Sequence, residues 1–248
     1  MKKAQVTIFI VLGILIIVTI MFLLYVLGIF TSFSLGRNIE DELVAINSHI
    51  STCLKEVADQ QSIQLAKQAG ILKSLELGYR YFNDTEINYL CYNIPGKPYC
   101  RNRLLLKQDV ESNLVSGINS LLAACINLEE FESSSYSIQK ADTWQISADI
   151  GDESIRIKMI YPIKLISSNI QLSNEEYNIK LDYPLGSLLK VTNSILAEES
   201  SISDFDPLPY MLLHPEYKII KFRPYPDKIY IIRKSTDSFV FQFAIQGE

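Results

Sequence analysis

The sequence predicts an α+β protein: an N-terminal transmembrane helix, then an extracytoplasmic domain of two disulfide-linked helices and an antiparallel sheet, ending in a β-rich portion. Three observations predict it. No residue from Ala4 to Gly36 carries a charge. Apolar residues then recur at helical spacing in two segments, each with a cysteine on its apolar stripe. Beyond residue 135 the repeat changes to two, the period of a strand with one face buried.

The span is strongest from Val6 to Phe30, which is rich in Ile, Leu, Val and Phe. About 20 apolar residues cross roughly 30 Å of hydrocarbon, whereas the apolar core of a secretory signal runs to only about 7–15. The segment Phe30-Thr31-Ser32-Phe33-Ser34 is also a poor cleavage site, so a retained helix is expected. Lys2 and Lys3 precede the span, and only Arg37 stands between it and Glu40-Asp41-Glu42. The positive-inside rule then places the N-terminus in the cytoplasm and the remainder outside. The expected location is the cell membrane in a single pass, with the lipid bilayer as partner. The expected domains are residues 1–36 for the basic tip and membrane helix, 37–199 for the α+β domain, and 200–248 for a linker and C-terminal strands packing on that domain.

Composition limits the function classes. Hydrophobic residues make up 48% of the 248 and charged residues 21%, enough apolar material for a core and too much for wholesale disorder. The net charge is −5, and setting aside the two positive charges of Lys2 and Lys3 leaves −7. An acidic domain without a Lys/Arg cluster does not suit nucleic acid, whose phosphates need neutralising.

The cysteines Cys53, Cys91, Cys100 and Cys125 all follow the apolar span, and an even count in an oxidising compartment reads as two disulfides. Four cysteines allow three pairings. Cys91 to Cys100 encloses Ile94-Pro95-Gly96, a turn that returns the chain on itself. Cys53 and Cys125 lie on the apolar stripes of the two expected helices, where one bond staples both. The expected bridges are therefore Cys91–Cys100 and Cys53–Cys125. Zinc is the weaker alternative, since Cys-x-x-Cys is absent and His49 and His214 are the only histidines.

Ile39, Leu43, Ile46, Ile50, Cys53 and Val57 alternate steps of four and three, which predicts a helix from near Arg37 to Gln68 ended by Gly70. The stripe reads first as a core face. Its alternative is a stem through which Ile39, Leu43, Ile46, Ile50 and Val57 contact sister subunits, although it is too short for a coiled coil. A second helix is predicted over Gln108–Asn127, with Val110, Leu114, Ile118, Leu121, Leu122 and Cys125 on one face. Between the helices, Tyr79, Tyr81, Phe82, Tyr89, Tyr92 and Tyr99 form an aromatic stretch. These residues suit the core of a small hairpin or, alternatively, a glycan-stacking surface.

Alternation predicts strands at Tyr136–Lys140, Trp144–Ile150, Ser154–Tyr161 and Tyr177–Tyr183, and a short helix over Leu185–Glu198. Glu198 to Pro207 reads as a solvated acidic linker, because its carboxylate spacing fits no EF-hand loop. Tyr217–Phe222, Lys228–Arg233 and Ser238–Ile245 read as three further strands. The apolar run ending at Ile245 requires pairing on its edges. Asn83-Asp84-Thr85 is an Asn-x-Ser/Thr sequon in a polar loop and makes Asn83 a candidate glycosylation acceptor. No nucleophile elbow, phosphate-binding Gly loop, metal-binding His pair or redox Cys pair occurs, so no catalytic, cofactor or metal residue is assigned.

The opening Lys2-Lys3-Ala4-Gln5-Val6-Thr7-Ile8-Phe9-Ile10 resembles archaeal type IV pilin-like proteins with a class III signal peptide. That resemblance implies processing between Ala4 and Gln5, with the apolar helix retained. It departs where pilins usually carry a Glu, at the position of Phe9. More of the chain resembles an uncharacterised family of membrane-anchored proteins from small-genome archaea. The match rests on the Gln5–Ile10 opening, Cys53-Leu54-Lys55-Glu56-Val57-Ala58, Cys125-Ile126, Tyr161-Pro162 and Phe241-Gln242-Phe243-Ala244-Ile245. That family supplies no known activity; the pilin-like anchor and the lack of catalytic motifs give the expected function, a non-catalytic, membrane-anchored structural or assembly protein of the cell surface. Its partners are expected to be copies of itself or other envelope proteins. The alternative is a monomeric tethered domain that binds a glycan or partner protein, and no small-molecule ligand is identified.

Overall fold

A computed structural model describes residues 13–23, 39–72, 78–97, 100–167, 170–201 and 204–247. The chain divides into two compact units, Met1–Glu42 and Leu43–Glu248. The α+β class holds in mixed form, and the transmembrane element of the expectation is corrected. Among the described residues no helix is long and apolar enough to cross a membrane. The helical residues described there, 13–23, number 11 and rise by roughly 16 Å, where about 30 Å is needed. The rest of the expected span lies outside the described residues, as do Ala4 and Gln5.

Helix α1 (Ile39–Lys67) carries Glu40, Asp41 and Glu42 in its first turn, where carboxylates oppose the helix dipole. It stops because Ala69 and Gly70 take left-handed backbone angles, with the Gly70 amide donating to the Leu65 carbonyl at 2.8 Å. Ile46, Ile50, Cys53, Leu54, Val57 and Ala58 are buried, so this stretch of the stripe is a core face. Helix α2 (Lys107–Cys125) buries Val110, Leu114, Gly117, Ile118 and Leu122. The absence of a side chain at Gly117 lets Gln61 and Leu72 approach: a Cβ there would lie 2.4 Å from Gln61 Oε1 and 2.2 Å from Leu72 Cδ1.

The first strands are β1 (Tyr79–Phe82), β2 (Thr85–Asn93) and β3 (Cys100–Asn102). A second group follows α2: β4 (Ser137–Lys140), β5 (Gln145–Ile150), β6 (Ile155–Ile166) and β7 (Gln171–Leu181). Then come α3 (Leu185–Glu199), α4 (Pro207–Leu213), β8 (Tyr217–Phe222), β9 (Lys228–Lys234) and β10 (Val240–Ile245).

These strands make two sheets. In the antiparallel one, β6 pairs with β5 and then β4 along one edge and with β7 along the other. Alternation sorts its faces: Ile155, Ile157, Met159, Tyr161, Ile163 and Leu165 are buried, while Arg156, Lys158 and Lys164 face solvent. Tyr177 of β7 donates to Asn47 of α1 at 2.9 Å, which places the helix on the apolar face. The second sheet runs β1-β2-β10-β9-β8, with β3 also on β2. It is mixed, because β10 lies parallel to β2 and antiparallel to β9. Phe82 on β1 and Phe222 on β8 belong to opposite ends of this order, yet their ring centroids are 5.3 Å apart. The sheet therefore coils around an inner cluster of Ile87, Tyr89, Ile229 and Ala244.

Helix α3 is seated on the turn between β5 and β6. The Gly186 amide donates to the Gly151 carbonyl at 3.1 Å, and Ser187 Oγ donates to the Asp152 carbonyl at 2.7 Å. A Cβ on Gly186 would lie 2.5 Å from that Gly151 oxygen, a backbone atom that cannot turn aside. Gly186→Ala is predicted to destabilise the protein by about 1–3 kcal/mol in a denaturant titration, and an unchanged midpoint would contradict this seating.

Candidate functional site

Both bridges join core elements in the pairing that the sequence predicts. Cys53 of α1 is bonded to Cys125 at the end of α2, and Cys91 of β2 to Cys100 of β3. Among the described residues no cysteine is free. The longer bridge spans 72 residues of sequence, and loop-closure entropy assigns such a link about 4 kcal/mol. The shorter one pins β3 beside α3, with Cys100 Sγ 3.8 Å from the Glu199 carbonyl.

Around that point the fold concentrates its buried charge. The Glu199 side chain, at the C-terminal end of α3, is only 2% exposed. Its carboxylate accepts from Lys228 Nζ at 2.6 Å, from the Phe205 amide at 3.2 Å and from the Tyr230 hydroxyl. Lys221, 7% exposed, lies 3.4 Å from the same carboxylate, donates to Asp204 and the Phe205 carbonyl at 2.7 Å each, and sits over the Tyr230 ring. Asp204 also pairs with Lys228 and Arg223. Register explains the meeting: Lys221 and Tyr230 are directly opposed on β8 and β9, so their side chains leave the same face.

Burial works against ionisation of Asp204, but hydrogen bonds from Lys221 and Lys228 outweigh it and hold the carboxyl well below its usual range. Burial and the bond to Glu199 push the Tyr230 hydroxyl far up. This network fastens the acidic segment after α3, which the sequence reads as a solvated linker. At the end of that segment a helix begins, Pro207–Leu213, started by Asp206, whose side chain accepts from the Leu208 amide. The Asp-Pro pair was its available signal. The signal for the ion network is Lys221, which alternation along Tyr217–Phe222 places on the same face as the buried Ile219.

A second centre closes the chain's end. Asp227 accepts from the Tyr89 hydroxyl at 2.8 Å and the Gly247 amide at 3.0 Å, and Arg80 lies 3.3 Å away. Burial, reinforced by Asp227, pushes the Tyr89 hydroxyl up to about 12. Burial and Asp59 do the same for Tyr183, also to about 12.

The aromatic hairpin splits between core and surface. Tyr89 is buried, Phe82 packs on the inner cluster, and Tyr79 and Tyr81 are exposed. Tyr99 lies outside the described residues. Of the residues expected to contact sister subunits, Ile46, Ile50 and Val57 are buried in this fold, while Ile39 and Leu43 are half-buried. His49 rests against Phe131, and His214 against Tyr210. Beside the exposed Tyr81, the last turns of α1 and the hairpin enclose a groove of about 490 Å³ lined by Gln60, Gln64, Lys67, Gln68, Tyr81 and Glu86, among others. No known family model, curated protein or solved structure matches this chain.

Two predictions follow from the charge centres. Glu199→Gln leaves buried lysines short of a counter-charge and is expected to lower stability by about 3 kcal/mol. Glu153→Gln, which removes the exposed partner of Lys234, should change it by no more than about 0.5 kcal/mol; equal effects would contradict a buried centre. Phenols raised above their unfolded value of 10.0 stabilise the fold below that pH, and this contribution is lost as pH rises through the folded values. Stability should thus hold to about pH 10 and fall toward pH 12, with Tyr89, Tyr183 and Tyr230 ionising only as the protein unfolds. A spectrophotometric titration in which all tyrosines ionise together near pH 10 would contradict it.

Proposed function

We propose that this chain is a non-catalytic structural or assembly component of the cell surface, with its disulfide-bonded domain outside the cytoplasm. The observation that carries the reading is the pairing of all four cysteines into two bridges inside the core. Such bonds persist in oxidising compartments and are rare where thiols are kept reduced. The charge centres support a structural role. Glu199 and Asp227 are each satisfied by several groups of the same fold and clamp segments together. The partners of such a component are copies of the chain or other envelope proteins.

A second reading, a binding domain for a glycan or a partner protein, is favoured by one observation: the groove beside the exposed ring of Tyr81, to which Gln60, Gln64 and Gln68 present carboxamides. Peptide mapping of protein taken from intact cells and alkylated without reduction tests the location. It should recover Cys53 linked to Cys125 and Cys91 linked to Cys100, whereas alkylated cysteines would overturn it. Crosslinking in the same cells tests assembly: defined adducts with itself or an envelope protein are expected, and a monomer at every linker length would remove that role.

A further inference from the structure

The sequon Asn83-Asp84-Thr85 occupies the tip of the β1–β2 hairpin. Phe82 pairs with Thr85, so Asn83 and Asp84 are the two loop residues, with φ of 46° and 57°. Two-residue loops of this hand favour Asn and Asp, which tolerate left-handed angles. Asn83 and Asp84 are exposed. The loop is held from both sides, by Tyr81 Oη donating to Asp84 Oδ1 at 3.2 Å and Thr85 Oγ1 donating to the Asn83 carbonyl at 3.3 Å.

The groove at the foot of this turn is an independent observation. Asp84 and Thr85, the two residues that follow Asn83, themselves line it. Its α1 wall carries the carboxamides of Gln60, Gln64 and Gln68 together with Ile63 and Lys67, with Gln64 Nε2 3.5 Å from Gln68 Oε1, and its other wall presents the Tyr81 ring, 62% exposed. Carboxamides both donate to and accept from hydroxyls, and an exposed aromatic face takes the C–H face of a pyranose. Amide wall and aromatic wall together suit a sugar.

We propose that Asn83 carries an N-linked oligosaccharide whose first sugars lie in this groove, between Tyr81 and the glutamines of α1. The proposal rests on the extracytoplasmic reading above, because acceptor sequons are used in secreted segments. The donor is an oligosaccharide on a polyprenyl phosphate or diphosphate lipid. The amide nitrogen of Asn83 forms a bond to the anomeric carbon as the bond from that carbon to the phosphate oxygen breaks. The amide proton passes to a base of the transferase, and the lipid phosphate or diphosphate leaves; nothing is oxidised or reduced. In the folded hairpin the Thr85 hydroxyl is turned onto the Asn83 carbonyl, so transfer precedes closure of the turn. The attached sugars then fill the groove and cover Tyr81.

Glycopeptide mass spectrometry on the full chain isolated from its own cells tests this. The Asn83 peptide is expected to carry a hexose- or N-acetylhexosamine-containing mass in most molecules, to lose it entirely in Thr85→Ala and to keep it in Thr85→Ser. Nitration tests the groove: Tyr81 should react several-fold more slowly in the glycosylated protein than in the same protein stripped of glycan. Equal rates would remove the groove from the proposal. An unmodified Asn83 beside intact Cys53–Cys125 and Cys91–Cys100 bridges would overturn the inference and leave the extracytoplasmic reading standing. Free thiols at those four cysteines would instead overturn that reading itself.

Discussion

Strand β10 has partners on both edges, and the parallel one comes from the far end of the domain's sequence. It pairs with β9 along all six residues and with β2 through Tyr89 and Cys91. Beyond the strand, Gln246 donates to the Cys91 carbonyl at 2.9 Å, and Asn93 donates to the Gln246 side chain at 3.0 Å. Parallel neighbours cannot be joined by a tight turn, so everything between β2 and β10 must be accommodated before this contact closes. Phe241, Phe243, Ala244 and Ile245 are buried there, and Gln242 reaches the Lys67 carbonyl at the end of α1. The hairpin after α1 and the last three strands thus share one sheet, and neither buries its apolar face without the other.

The buried charges lie where that sheet meets segments with no strand to hold them. Glu199 and Lys221 collect the stretch between α3 and α4, and Asp227 collects the chain's end and Arg80. A buried ion pair is weak as net stabilisation but strong against rearrangement, because a lost partner leaves an unpaired charge in a poor solvent for it. The two disulfides act on the same problem from the covalent side, one joining α1 to α2 and one joining β2 to β3. Together these devices suit a domain that works by keeping its shape outside the cell, which is the role proposed for it.

Much of this was legible along the chain. Steps of three and four mark α1 and α2 because each turns one stripe inward, alternation marks β5 and β6 because each has one buried face, and a continuous apolar run marks β10, which is buried on both. The cysteine pairing followed from those stripes and from the Pro95-Gly96 turn. Periodicity does not say what a stripe packs against, which is why Ile46, Ile50 and Val57 could be read as a subunit contact while the fold uses them as core. Nor does it disclose partners: nothing local marks β10 as parallel to β2, so the pairing of the C-terminal strands is left open by the sequence. The Glu199 network was hidden for the same reason, since its members meet only through the register of β8 on β9. At the N-terminus, a long uncharged run predicts a membrane helix, and among the described residues no helix is long and apolar enough to cross one. The groove beside Asn83 joins α1 to a hairpin tip and has no signature in either segment alone.

The central claim is that β10 welds both halves of the domain into one cooperative unit. Native-state hydrogen exchange read strand by strand tests it most directly. Amides of β2, β9 and β10 should exchange with a common free energy equal to that of global unfolding. Exchange of β8, β9 and β10 together at a distinctly lower free energy, with β2 still protected, would show a detachable C-terminal module and contradict the account.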